Sequence, residues 1–150
     1  MMRIILQRVG KASVRVDGEI TGSIGKGLLL LVGFHQTDTK KEVDWCCRKL
    51  VSLRVFSDED GKMNRSVQDV GGGMLVISQF TLYGKIAKGT RPGFTDAARP
   101  DIAEPLYEYM LETLRRDSGV DIQQGVFGAM MDVSLVNEGP VTLIMERMAN

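Results

Sequence analysis

Two short polar segments of this 150-residue chain carry groups suited to binding or catalysis. The first, Ser78-Gln79-Phe80-Thr81-Leu82, follows a strongly apolar run and precedes a stretch rich in lysine, arginine and glycine. Hydroxyl, amide and backbone N–H groups at the end of a strand, beside a loop, are typical of a binding site on a rigid scaffold. The same spacing also fits an ordinary strand, with Phe80 and Leu82 facing inward and Gln79 and Thr81 facing outward.

The second segment is Asn137-Glu138-Gly139-Pro140-Val141-Thr142, and it lies between two runs of alternating polarity. The simplest interpretation is a hairpin turn. The Gly139–Pro140 pair makes a rigid bend, and about 5–6% of X-Pro bonds in folded proteins are cis. A cis bond would hold two carbonyl groups nearly parallel, as an acceptor pair for an ammonium group. Spacing alone leaves both interpretations open.

The remaining reactive side chains restrict the chemistry. His35 is the single histidine of the sequence, so a histidine-rich metal site cannot form and any Ser-His-Asp triad would need His35. We expect His35, at the end of a strand, to have a surface or structural role. Cys46 and Cys47 are adjacent, and neighbouring residues on a helix point in different directions. A structural disulfide or a metal pair is therefore not expected.

Composition excludes several classes of protein. The 19 basic and 19 acidic residues balance, which excludes a generally basic nucleic-acid binder but allows a local basic patch. The longest apolar run, residues 28–32, is far shorter than the roughly 20 residues that span a bilayer. The N-terminal segment lacks a signal-peptide cleavage pattern, so we expect a cytoplasmic protein. The length predicts a single domain over residues 1–150.

The pattern of elements predicts a β-rich α+β fold with two main helices. Asp17-Gly18 between two strand-like runs predicts a hairpin whose return strand is Glu19–Ile24. Thr39-Lys40-Lys41-Glu42 has the form of a capping box at the start of the first helix, whose apolar stripe includes both cysteines. The second helix is predicted over residues 101–116, with Gly119 at its C-terminal cap. The other predicted strands cover residues 28–34, 53–56, 74–80, 120–123, 129–137 and 141–147.

With these segments in place, the chain resembles the D-aminoacyl-tRNA deacylases. Ser78-Gln79-x-Thr81 and Asn137-x-Gly139-Pro140-x-Thr142 correspond to the two named signatures of that family, and they make the plain strand and the plain hairpin the weaker explanations. Further matching stretches follow in order along the chain: Gln7-Arg8-Val9 with Ala12-Ser13-Val14, Gly27-Leu28-Leu29, Lys49-Leu50 with Leu53-Arg54-Val55-Phe56, Lys88-Gly89 with Arg91-Pro92 and Phe94, and Gly125-Val126-Phe127-Gly128-Ala129 with Met131. Thr90 and Gly93 depart from the expected Asn and small polar residue, which concerns the loop and its tRNA contacts rather than the chemistry.

The resemblance implies a homodimer with a barrel-like fold and an active site at the subunit interface. Such enzymes cleave the ester between a D-amino acid and the 3′-terminal adenosine of tRNA, and they remove glycine charged on the wrong tRNA. The Gly139–Pro140 bond would be cis and would project from one subunit into the pocket of the other, with substrate contacts from Ser78, Gly139 and Pro140. No metal or organic cofactor is expected.

The resemblance also implies roles in the reaction. Gln79, Phe80 and Thr81 are the predicted catalytic residues, with the Phe80 N–H as the leading donor to the oxyanion, while the 2′-hydroxyl of the terminal adenosine assists the attack of water. The alternative is a Thr81 nucleophile, which needs a nearby base that the sequence does not supply. Gly139 and Pro140 carbonyls would hold the α-ammonium so that an L side chain clashes with the backbone. The residues predicted to brace this loop are Arg8, Asn137 and Thr142.

Affinity for tRNA is predicted to come from local basic groups. The first set comprises Lys85, Lys88, Arg91 and Arg99. The second set, for which ordinary surface charge is the favoured interpretation, comprises Lys40, Lys41, Arg48 and Lys49. Zero net charge predicts a modest contact with the acceptor end and a small dependence of affinity on salt. Two rival functions are a small-ester hydrolase unrelated to RNA and a non-catalytic RNA-binding dimer.

Overall fold

The computed structural model describes residues 1–148, so the last two residues of the predicted domain, Ala149 and Asn150, lie outside the described range. The described residues form two α-helices, one short 3-10 helix and eight strands, which confirms the predicted β-rich α+β class. The elements in chain order are β1 (Met2–Val16), β2 (Glu19–Ile24), β3 (Gly27–Gly33), α1 (Lys40–Ser52), β4 (Phe56–Ser57), β5 (Met63–Arg65), β6 (Gly73–Ser78), the 3-10 helix (Phe80–Tyr83), α2 (Pro100–Asp117), β7 (Asp121–Gln124) and β8 (Asp132–Arg147).

The long strand β1 organises the sheet. Its first half pairs antiparallel with β3, its second half pairs antiparallel with β2, and β8 runs antiparallel beside both halves. The β1–β2 hairpin turns at Asp17 and Gly18, whose φ angles of 51° and 81° fit the primed turns that suit hairpin twist. The predicted hairpin is thus confirmed, together with the bounds of its return strand.

A parallel layer of β3, β6 and β7 completes the sheet and bends it toward closure. The strand order is β2-β1-β3-β6-β7, and the two ends of this series approach each other at Gly22 and Gln124. A Cβ atom on Gly22 would lie 2.5 Å from the Gln124 carbonyl oxygen. Only glycine allows this backbone approach, so the sheet forms a nearly closed barrel.

Both helices pack over the main hydrophobic core of the barrel. Helix α1 begins with the predicted capping box, in which the Thr39 side chain accepts from the backbone of α1 and the Glu42 carboxylate accepts from the Thr39 N–H at 2.8 Å. Cys46 and Cys47 are buried in the stripe that faces this core. Among the described residues, neither helix is long and apolar enough to cross a membrane.

Four predicted strands differ from the observed ones by more than a residue at an end. The predicted strands over residues 129–137 and 141–147 are one strand, β8, because the partner strand β1 is long enough to pair on both sides of the Gly139–Pro140 segment. The strand predicted to end at Phe80 ends at Ser78, where the chain enters the 3-10 helix. The strand predicted over residues 53–56 shrinks to the two residues of β4.

Candidate active site

A cleft of about 530 Å³ opens at the carboxyl ends of the parallel strands β3 and β6. Its volume lies within the range of small-molecule binding sites. Val32 and Ser78, directly paired across β3 and β6, form part of its wall together with Gln79 and Phe80. Three further segments complete the wall: the loop carrying Phe94, Ala97 and Ala98, the first turn of α2, and residues 127–131 before β8.

Within the described residues, the backbone after β6 has two N–H groups without an acceptor, one on Phe80 in the cleft wall and one on Thr81, which does not line the cleft. The Gln79 N–H still donates to the Val32 carbonyl at 2.8 Å, which extends the β3–β6 ladder by one bond. The 3-10 helix then begins, and the N–H groups of Phe80 and Thr81 donate to no other group of residues 1–148. The Phe80 side chain is 57% exposed and meets Phe94 edge-to-face, with ring centroids 5.2 Å apart. The end of β6 is therefore followed by two backbone N–H donors, close to the aromatic side chains of Phe80 and Phe94.

The Thr81 hydroxyl is held by Gln79, whose Nε2 donates to Thr81 Oγ1. An amide nitrogen is a donor and cannot take a proton from the hydroxyl. His35, the one histidine, does not line the cleft; its Nδ1 accepts from the Thr37 N–H at 3.1 Å, and its ring packs against Tyr83. Within the described residues, Thr81 therefore has no base in contact with it.

The Asn137–Thr142 signature is a large bulge in β8, and the simple hairpin turn that spacing alone favoured is absent there. Gln7 pairs with Thr142 and Val9 pairs with Asn137, so Arg8 alone faces the four residues 138–141. The Gly139–Pro140 peptide bond within the bulge is cis, and Gly139 has φ of 130°, a conformation that other residues rarely adopt.

Arg8 and Asn137 hold this bulge from both ends. The buried Arg8 guanidinium donates from Nε to the Glu138 carbonyl at 3.0 Å and from Nη1 to the Val55 carbonyl at 2.9 Å. Asn137 Oδ1 accepts from the Val141 N–H at 3.0 Å, while its Nδ2 donates to Thr142 Oγ1 at 2.9 Å. The three residues predicted to brace the loop thus do contact it.

The bulge does not line the cleft of its own chain. Arg8 pairs with Leu28 near the start of β3, whereas the cleft begins at Val32, about 13 Å further along the strand at roughly 3.3 Å per residue. Gly139 and Pro140 are both exposed. Within one chain, the structure therefore does not bring these two residues together with Ser78.

The predicted basic loop is exposed and closed at its base. Lys85 exchanges two backbone hydrogen bonds with Gly93, of 2.7 and 3.0 Å, and its Nζ lies 3.0 Å from Asp96. Arg99 is paired with Asp101 at 3.2 Å, so two of the four cations are neutralised locally. The other two, Lys88 and Arg91, lie at the exposed tip.

Comparison with known proteins agrees with these motifs. The sequence profile of the family described as D-Tyr-tRNA(Tyr) deacylase matches residues 5–146. The chain belongs to this family. It is 58% identical over 145 residues to a D-aminoacyl-tRNA deacylase of Bacillus cereus (97% of this chain, 99% of the relative) and 56% identical over 146 residues to one of Exiguobacterium sibiricum (97% and 100%).

Two solved structures resemble this member of the deacylase family. One, titled c-Myc DNA Unwinding Element Binding Protein, superposes with a TM-score of 0.92 at 42% identity, covering 98% of this chain and 99% of the other. A second, described as a probable eukaryotic D-amino acid tRNA deacylase, gives a TM-score of 0.83 at 18% identity over 96% and 98% of the two chains. The second likeness shows the barrel fold alone.

Several residues that line the cleft of this family member were not predicted to belong to the site from the sequence. They are Phe94, Ala97 and the segment around Phe127 and Gly128. Phe94 and residues 125–129 belong to stretches that match the deacylase family, and this match was the feature of the sequence that could have placed them in the site. Their position around the same cleft as Ser78 depends on the packing of distant segments, which spacing does not reveal.

Proposed function

We propose that this protein hydrolyses the ester bond of D-aminoacyl-tRNA, releasing the free D-amino acid and the tRNA. The observation that carries the proposal is the Phe80 N–H, which has no acceptor among the described residues and lies at the wall of a cleft of suitable size. Names of the close relatives support the same substrate. The reaction would occur in the cytoplasm, where charged tRNA is used.

Oxyanion stabilisation is the task that this strand end suits best. The Phe80 N–H, with the Thr81 N–H beside it, would donate to the oxygen that becomes negative when water attacks the ester carbonyl. Removing one donor of this kind typically lowers the rate by about 10²–10³-fold. Ser78 and Gln79 would contact the acyl group or the terminal adenosine from the same wall.

Water would be activated by the substrate itself. The 2′-hydroxyl of the terminal adenosine lies next to the 3′ ester in any aminoacyl-tRNA, so it can assist proton transfer without a protein base. This explains why a site whose histidine lies outside the cleft can still hydrolyse an activated ester. A Thr81 nucleophile is the less favoured alternative, because its hydroxyl contacts an amide donor and no base within the described residues.

Selection for the D-enantiomer would come from the Gly139 and Pro140 carbonyls of a second copy of this chain. The bulge is exposed, remote from its own cleft and fixed by Arg8, Asn137 and Thr142. With the α-ammonium and the ester held in place, one remaining substituent of the substrate Cα would face the inserted backbone, where only a hydrogen atom fits. An L-amino acid would place its side chain there and would be excluded. Glycine has no side chain and would be accepted as well.

A homodimer would also cover the exposed apolar residues of β8. Val136, Leu143 and Ile144 are 50%, 42% and 67% exposed on a strand that pairs on one edge with β1. Exposed apolar residues on one strand are a common mark of an interface. The same strand carries the bulge, so association through β8 would bring two bulges close to the shared boundary.

The acceptor end of tRNA would reach the cleft past the basic loop. Lys88 and Arg91 are the leading phosphate contacts, since Lys85 and Arg99 already have carboxylate partners. Lys85 would mainly shape the loop through its bonds to Gly93.

Matched charged tRNAs test the proposed function. Purified protein should deacylate D-tyrosyl-tRNA and glycyl-tRNA rapidly and leave L-tyrosyl-tRNA at the spontaneous rate. A D-tyrosyl-tRNA ending in 2′-deoxyadenosine should react much more slowly, because the assisting hydroxyl is missing. Rapid cleavage of free D-amino-acid esters would favour the small-ester hydrolase, and tRNA binding without ester loss would favour the non-catalytic dimer.

A further inference from the structure

We propose that a cationic surface around Trp45 binds the sugar-phosphate backbone of the tRNA acceptor stem. We call it the Trp45 patch and define it as Lys41, Trp45, Arg48, Lys49 and Arg147. The proposal rests on the proposed function in one respect, because that function makes tRNA the substrate.

The patch is built by the exposed face of α1 and the end of β8. Arg147 lies over the Trp45 ring, with Cζ 4.7 Å from the ring centroid, and Lys49 Nζ lies 5.2 Å from the same centroid. Lys41 and Arg48 occupy positions one turn before and after Trp45, on the same side of the helix. The indole packs partly against the core, so its position is fixed while its outer part faces solvent.

Among the described residues, the cations of the patch form no ion pair. Within residues 1–148, none of its four cations has a carboxylate oxygen within 4.0 Å. The two acidic residues of α1 are engaged elsewhere: Glu42 caps the helix at Thr39, and Asp44 accepts from the Tyr109 hydroxyl at 2.6 Å. A locally positive surface on a protein of zero net charge is complementary to a polyanion.

This charge lies at the same end of the barrel as the cleft. Arg147 pairs with Met2 of β1, the next residue Arg3 pairs with Gly33 of β3, and β3 leads to β6 at Ser78. Three strand spacings of about 4.8 Å separate β8 from β6, or roughly 15 Å in all. A tRNA whose 3′ end occupies the cleft would therefore pass the patch within a few nucleotides.

Acceptor-stem recognition by such a surface would be independent of sequence. Proteins bind A-form RNA largely through phosphates and 2′-hydroxyls, by shape. Lys49, Arg48 and Arg147 would contact phosphates, while the edge of Trp45 would pack on sugar. The patch would therefore raise affinity for every tRNA without reading the amino acid.

Charge reversal with two substrates tests the patch. The double variant Lys49→Glu/Arg147→Glu should lower kcat/KM on D-tyrosyl-tRNA by about tenfold or more, with a salt dependence reduced by about two units of slope. It should leave the rate on the 3′-D-tyrosyl ester of adenosine unchanged, because that substrate has no stem. Lys26→Glu, the same charge reversal at the opposite end of β3, is the control and should match wild type on both substrates.

The outcomes separate this proposal from the proposed function. The patch proposal would be overturned if the double variant kept the wild-type kcat/KM on D-tyrosyl-tRNA and the wild-type dependence of kcat/KM on salt. It would also be overturned if the variant lost the same fraction of kcat/KM on both substrates. If the wild type cleaves neither substrate, the proposed function is overturned instead. Trp45 is the one tryptophan of the chain, so its fluorescence then still tests the patch. A salt-sensitive change on adding uncharged tRNA supports the patch, and no change overturns it.

Discussion

The Arg8 guanidinium donates a 3.0 Å hydrogen bond to the Glu138 carbonyl, the residue that opens the Gly139–Pro140 bulge. A second bond of 2.9 Å ties the same guanidinium to Val55, in the connection between α1 and β4. Arg8 thus fixes an exposed backbone segment against the interior of the barrel. Its planar group supplies two donors in a set direction, which a lysine cannot reproduce.

Replacement of this arginine should affect selectivity and stability together. Arg8→Lys leaves at least one of the two carbonyls without its donor, so unfolding free energy should fall by about 1–3 kcal/mol. The looser bulge should lower kcat/KM on D-tyrosyl-tRNA. It should also lower the ratio of this value to kcat/KM on L-tyrosyl-tRNA. Arg15→Lys, on the exposed part of the same strand, removes a bond to Gly18 and serves as control. Unchanged selectivity in Arg8→Lys would show that Arg8 does not position the bulge.

Removal of the Thr81 hydroxyl should have little effect on turnover. Thr81→Val loses an acceptor for Gln79 Nε2 but keeps the backbone N–H groups of the strand end. Loss of a true nucleophile would lower kcat on the order of 10⁴-fold or more. We expect kcat near wild type in single-turnover assays with D-tyrosyl-tRNA. Isolation of an acyl group bound to Thr81 in the wild-type enzyme would contradict this expectation.

Closure of the barrel should depend on Gly22. Gly22→Ala places Cβ 2.5 Å from the Gln124 carbonyl oxygen, so strands β2 and β7 must separate. Overpacking of this kind typically costs about 1–3 kcal/mol, which urea unfolding would detect. Gly25→Ala is the matched control, since a Cβ at Gly25 meets nothing within 4 Å. Equal unfolding midpoints for the two variants would mean that β2 and β7 do not meet as described.

The two cysteine thiols should stay protonated and unreactive in the folded protein. Burial is the main reason that the pKa values of Cys46 and Cys47 rise from 9.0 to about 12. The folded state therefore holds these protons more tightly than the unfolded state, and the resulting stability is present below pH 9 and declines between pH 9 and 12. A thiol reagent should modify both groups only after unfolding. Rapid modification of the native protein at neutral pH would contradict their burial.

Local signals in the sequence were sufficient for the elements that depend on neighbouring residues. Thr39 and Glu42 lie three residues apart and form the capping box by themselves. Asp17 and Gly18 likewise make a turn whose geometry is set by two residues. These features could be predicted because the interactions that stabilise them are close in the chain.

The geometry of the site could not be predicted in the same way, because it depends on contacts between residues far apart in the chain. The Gly139–Pro140 segment interrupts the alternation of β8, so spacing alone favoured a turn, whereas β1 pairs on both sides and absorbs it as a bulge. The 3-10 helix that follows β6 packs against the end of β3, where a Cβ on Gly33 would lie 2.8 Å from the Tyr83 ring. Neither relationship can be read from local spacing.

Subunit mixing tests most directly the central claim, that the bulge of one copy completes the cleft of another. Gly139→Val should disable the bulge, because a Cβ at Gly139 lies 2.9 Å from Arg8 Nη2, and Ala97→Trp should fill the cleft. Each variant alone should be inactive on D-tyrosyl-tRNA and fold normally by circular dichroism. Unfolded together in equal amounts and refolded, they should regain about a quarter of wild-type activity, since half of the dimers would be mixed with one intact site each. Two folded, inactive variants that regain no activity when combined would contradict the account.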